Sequence, residues 1–129
     1  MAANQFQAIL TRELTNTAPF RPQESLKILQ EFCEGVEAST SRGVTCTLER
    51  GYLVNDGQEW KPMIQATGGG PSYALLRAYV SAVGWPVKLS LYDGPMRRCQ
   101  TADELRAELE DFLKEPSVVD QIRFLMARP

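Results

Sequence analysis

The spacing of hydrophobic residues along this chain changes several times, and each change marks an element. Phe6, Ile9, Leu10 and Leu14 recur at helical intervals and predict a first helix over residues 3–14. Phe6, Ala8 and Leu10 also alternate, so an extended start satisfies the same stretch. Thr15 to Pro22 is rich in turn formers and ends the pattern. A second helix is predicted from Pro22 to Glu37, with the proline in the first turn, where a missing N–H is tolerated. Its apolar stripe is Leu26, Leu29, Phe32, Cys33 and Val36.

Beyond a small-residue loop at 38–43 the period falls to two. Val44, Cys46 and Leu48 alternate with Thr45, Thr47 and Glu49, the pattern of a half-buried strand. Tyr52 and Val54 keep the parity, with a bulge expected near Arg50 and Gly51. Asn55-Asp56-Gly57 reads as a hairpin turn. The returning strand places Trp60, Pro62, Ile64 and Ala66 on one face. Pro62 cannot donate a ladder hydrogen bond, which predicts a sheet edge.

Tyr73, Leu76, Tyr79, Val80 and Val83 return to helical spacing, so residues 72–83 read as a helix. Gly84 fits the left-handed position after its end, and Pro86 blocks its continuation. Val87, Leu89 and Leu91 alternate again as a strand. Asp93-Gly94-Pro95 turns the chain, and Met96 to Gln100 returns as a short strand. Thr101 and Glu104 form a capping box before a helix with Leu105, Leu109, Phe112 and Leu113 on one stripe, ending near Lys114. After Pro116, Ser117 and Asp120 restart a final helix carrying Val118, Ile122, Leu125 and Met126.

The predicted order is α-α-β-β-α-β-β-α-α. It implies an α+β domain with about four antiparallel strands in two hairpins, and helices mainly on one face. The 129 residues suit one domain. Within it, 1–21 form an N-terminal helix and connection, 22–66 and 71–100 two helix-hairpin units, and 101–129 the closing helices. The two units echo each other in order but not residue by residue.

Composition narrows the chemistry. Histidine is absent, so no Ser-His-Asp or Cys-His catalytic arrangement and no imidazole metal ligand can form. The three cysteines, Cys33, Cys46 and Cys99, are scattered, without the pairing of a zinc site or disulfide framework. They read as buried thiols in a reducing compartment, and no metal or cofactor is expected. The start, Met1 to Gln7, does not read as a secretory signal, and no apolar run nears the roughly 20 residues of a membrane span, so a cytoplasmic location is expected. A formal charge of −2 argues against nucleic acid as a partner.

Three features are candidate sites. Gly68, Gly69 and Gly70, followed by Ser72 at the start of the predicted helix, could cradle an anion on converging N–H groups. The loop lacks the P-loop lysine and the dinucleotide fingerprint, so a plain connection explains it as well. Arg97 and Arg98, with Lys88 or Arg77 nearby, could supply positive charge to such a ligand, although alternation sends Arg97 and Arg98 to opposite sheet faces. Trp60, with the acidic Glu108, Glu110 and Asp111 of the capped helix, could meet a protein partner. A buried tryptophan and a solvated helix face account for those residues too. The function these features favour is a non-enzymatic protein-binding module of regulatory, chaperone-like or inhibitor type, with a homodimer as one form of assembly. The alternative is a small anionic-ligand binder or modest enzyme built on Gly68–Gly70.

Overall fold

A computed structural model describes residues 5–16, 23–90 and 95–127. The predicted turns at 17–22 and at Asp93-Gly94, and the strand end at Leu91, lie outside the described residues.

The first two helical patterns fold as read: α1 is Gln5–Asn16 and α2 is Gln23–Ser39. Six strands follow: β1 Val44–Val54, β2 Gly57–Ala66, β3 Tyr73–Ala74, β4 Arg77–Ser81, β5 Val87–Ser90 and β6 Arg97–Cys99. The chain closes with α3, Ala102–Leu113, and α4, Pro116–Met126. The fold is mixed α+β. Its antiparallel sheet runs in the order β1-β2-β4-β5-β6, with short β3 beside β2.

Register fixes the inner face. Cys46 lies opposite Ile64, Trp60 opposite Ala78, Ala78 opposite Leu89, and Val87 opposite Cys99. These positions share one parity, and α2, α3 and α4 pack on them through Leu29, Phe32, Leu105, Phe112, Val118 and Leu125, all buried. The Phe32 and Phe112 rings meet at 6.3 Å between α2 and α3. At the start of α3, Thr101 Oγ1 accepts the Glu104 N–H at 3.2 Å. Glu104 reaches back to the N–H of Gln100, one residue before the usual capping-box partner.

Two expectations need correction. Residues 72–83 form no helix: they supply β3 and β4, and with them the second helix-hairpin unit over 71–100 lapses. Ala78 and Val80 point inward while Arg77, Tyr79 and Ser81 alternate with them. Val83, which a helical stripe would bury, is 69 % exposed. Gly84 does take a left-handed φ of 98°, but in the β4–β5 connection. Among the described residues the sheet accordingly has six strands where about four were expected.

The second correction concerns Pro62. Its strand is interior, with β1 on one side and β3 and β4 on the other. In a strand the N–H and C=O of one residue point the same way. The Pro62 carbonyl accepts the Leu75 N–H at 2.8 Å, so its missing donor would point at the β3–β4 step. There Leu75 and Leu76 are both buried and the ladder is interrupted. Pro62 stands where the β2–β3 ladder ends and has no N–H with which to return a bond to Leu75.

The hairpin turn forms where it was read. Asn55 and Asp56 alone make the two-residue connection, and Gly57 already belongs to β2, opposite Val54.

Candidate functional site

The outer face of the sheet carries the residues of opposite parity. Across four neighbouring strands one row reads Glu59, Tyr79, Lys88, Arg98. The next row pairs Glu49 with Lys61 and, further along, Arg77 with Ser90. Glu59 is buried to 3 %, lying against Gly51, whose lack of a side chain leaves it room where β1 shifts register. Arg77, Lys88 and Arg98 are exposed, and none of them joins an ion pair among the described residues. Neighbouring strands lie about 4.8 Å apart, so the Tyr79–Lys88–Arg98 row spans roughly 10 Å.

Opposite charge gathers on the helices. α2 bears Glu24, Glu31, Glu34 and Glu37 against Lys27, and α3 bears Asp103, Glu104, Glu108, Glu110 and Asp111 against Arg106. A formal charge of −2 therefore conceals two layers of opposite sign.

At one end of the outer face a cavity of about 200 Å³ is bounded by Val54, Asp56, Gly57, Tyr79, Ser81, Lys88 and Met96. A second, larger groove of about 460 Å³ opens on the helix side of the same hairpin end. Leu26, Leu53, Trp60, Val80 and Ala82 line it. The Arg50 guanidinium lies 5.4 Å from the centre of the Trp60 ring.

The positions singled out in the sequence separate in space. Gly68, Gly69, Gly70 and Ser72 form an exposed link from β2 to β3. Gly69 and Gly70 have φ of 109° and 104°, a backbone region that favours glycine. The link runs into a strand, so the helix start that motivated anion binding there does not exist. Arg97 turns to the helix side and pairs with Glu108 at 3.0 Å. Arg98 joins Lys88 on the outer face. Trp60 is half-buried in the groove, while Glu110 and Asp111 are exposed on α3. Sequence reasoning missed the groove. Its walls come from α2, from the turn end of the β1–β2 hairpin and from the end of β4, and no local pattern joins them.

The three thiols are buried and unbridged. A hydrogen bond with Cys33, reinforced by burial, pushes the Cys46 thiol far above its ordinary range. Burial, helped by Glu108 and Glu104 and opposed by Arg97, pushes Cys99 up to about 11. Both are therefore held protonated near neutral pH, where a nucleophile must be a thiolate. Among the described residues no three His, Cys, Asp or Glu side chains converge as metal ligands. No helix there is long and apolar enough to cross a membrane.

No protein-family model matches this chain, and no curated protein and no solved structure is similar enough to match it.

Proposed function

We propose that this chain is a non-enzymatic protein-binding module, regulatory, chaperone-like or inhibitor-type in role, whose outer sheet face receives an acidic segment of another protein. The observation that carries this reading is the cluster of Arg77, Lys88 and Arg98 around Tyr79, exposed and outside the described ion pairs. An exposed pair of opposite charges contributes only about 0.2–1 kcal/mol, so a single cation would mean little. Several cations on a rigid sheet, with an aromatic ring among them, give both register and steering. A polypeptide suits this face better than nucleic acid, because the acidic helices α2 and α3 repel a long phosphate chain. The buried, unbridged thiols suit a reducing compartment such as the cytoplasm.

A second reading rests on the 200 Å³ cavity beside Lys88. A small anion such as phosphate or a dicarboxylate fits there better than a drug-sized ligand, whose pockets run to about 300–1,000 Å³.

Fluorescence anisotropy with a labelled Asp/Glu-rich peptide separates these readings. Binding should weaken steeply with salt, and fall about tenfold or more in the double variant Lys88→Glu, Arg98→Glu. Equal binding of a basic control peptide, or preference for single-stranded DNA, would sink the protein-binding reading. A thermal shift with phosphate or malonate, but no peptide binding, would favour the small anion.

A further inference from the structure

One carboxylate of the outer face stands apart from the rest. Glu59 is only 3 % exposed, whereas Lys61, Met63 and Gln65, which follow it on the same face of β2, are half-buried. Among the described residues its side chain enters no hydrogen bond and no ion pair. Lys61, the next residue of this face along β2, lies opposite Glu49 and forms an ion pair with neither carboxylate. A buried charge without a partner is costly, and a cation brought to it relieves that cost.

Gly51 makes the room for this carboxylate. It lies where β1 shifts register, and a Cβ on it would stand 2.9 Å from the Glu59 carboxyl carbon, and closer still to Oε1. The acid group therefore rests in the space that a side chain at position 51 would fill. It is not sealed there. Among the described residues no buried side-chain oxygen is both cut off from solvent and unpartnered, so the Glu59 oxygens keep a narrow opening. The result is a recess on the outer face that ends in an unpaired carboxylate.

Glu59 also begins the row that continues through Tyr79 to Lys88 and Arg98. With neighbouring strands about 4.8 Å apart, Lys88 stands roughly 10 Å from Glu59 and Arg98 roughly 14 Å. Negative charge ends the row on one side, positive charge on the other, and half-buried Tyr79 lies between. We infer that the acidic segment received by this face also carries a lysine, and that this lysine enters the Glu59 recess. The inference rests on the acidic-peptide reading and adds a sign pattern to it. Extended chain advances about 3.4 Å per residue, so the acidic residues fall about three and four positions from the lysine. Lysine suits a narrow opening better than arginine, because a compact ammonium on a slender stem passes where a planar guanidinium does not.

Fluorescence anisotropy with three labelled peptides tests this on the full chain. Each peptide carries a pair of glutamates three and four residues from a variable position, which holds lysine, acetyl-lysine or arginine. The lysine peptide is expected to bind about tenfold or more tightly than the other two. General attraction to the cationic face predicts the reverse for acetyl-lysine, since acetylation makes the peptide more negative. Glu59→Gln should abolish the preference for lysine and leave binding of the acetylated peptide as it was. That substitution keeps the shape of the side chain and removes an unpaired buried charge, so the free variant should unfold in urea no earlier than wild type. An acetylated or arginine peptide that binds as tightly as the lysine peptide, a lysine preference that survives Glu59→Gln, or a urea midpoint well below wild type would each overturn the inference and leave the acidic-peptide reading standing. If none of the three peptides binds, that reading fails and the inference goes with it.

Discussion

Gly57 and Val80 meet backbone to backbone: a Cβ on Gly57 would stand 2.9 Å from the Val80 carbonyl carbon, and closer still to its oxygen. Here β2 crosses β4 at the hairpin end, with Gly57 opposite Ser81 and Gln58 opposite Val80. The glycine is required by lack of room, in contrast to Gly69 and Gly70, which are required by backbone angle.

Gly57→Ala should therefore push β4 away from β2 and destabilise the fold by about 1–3 kcal/mol. Gly35 supplies the opposite case. It lies exposed within α2, and a Cβ there would meet nothing within 4 Å. Gly35→Ala should stabilise by about 0.5–1 kcal/mol, through helix propensity. Urea denaturation checks both: the midpoint falls in the first and rises in the second, at unchanged slope.

The β1 edge gives a second prediction. Its outward N–H groups at Val44 and Cys46 are taken by the residue that follows α2 and by α2 itself: Thr40 Oγ1 accepts the first at 3.3 Å, and Glu37 Oε1 the second at 2.8 Å. Capping in this way keeps another strand from adding to the edge. Glu37→Ala leaves the Cys46 N–H without its acceptor and should cost about 1–3 kcal/mol. It should also raise turbidity on heating relative to wild type. An unchanged unfolding midpoint would mean that the bond contributes nothing.

Cys99 predicts a pH dependence. Its thiol is raised from 9.0 to about 11 in the fold, so between those values the native state holds a proton that the unfolded chain has released. Stability falls with rising pH wherever the native state binds more protons. The contribution of Cys99 is therefore complete below pH 9 and is lost as pH climbs towards 11. Lysines and tyrosines titrate in the same range, so the measurement is the difference between wild type and Cys99→Ala in urea midpoints from pH 8 to 11. That difference should shrink with pH. Parallel curves would contradict the assignment.

Much of the fold was legible because the patterns that announce it are local. Val44, Cys46 and Leu48 alternate, Thr101 and Glu104 cap, and Leu105, Leu109 and Phe112 form a stripe; each needs only near neighbours. Residues 72–83 misled for a physical reason. A strand keeps period two only while it stays regular, and here Leu75 and Leu76 are buried in succession as the chain steps from β3 to β4. That slip of phase spaces Tyr73, Leu76, Tyr79, Val80 and Val83 as a helix would. Pro62 misled because one missing donor ends the short β2–β3 ladder without placing its strand at an edge. Of the candidate site, alternation correctly divided Arg97 from Arg98. Only pairing of β4, β5 and β6 could bring Arg98 to Lys88 with Arg77 nearby. The groove depends on where α2 stops over the hairpin, a tertiary relation that no spacing encodes.

Sorting cations to the outer sheet face and carboxylates to α2 and α3 gives the molecule a substantial permanent dipole despite its small net charge. A charged body approaching through water feels a torque from that dipole before any side chains touch. Collisions then begin already oriented, sheet side toward an anion, and this pre-alignment fades as added salt shortens the range of the field.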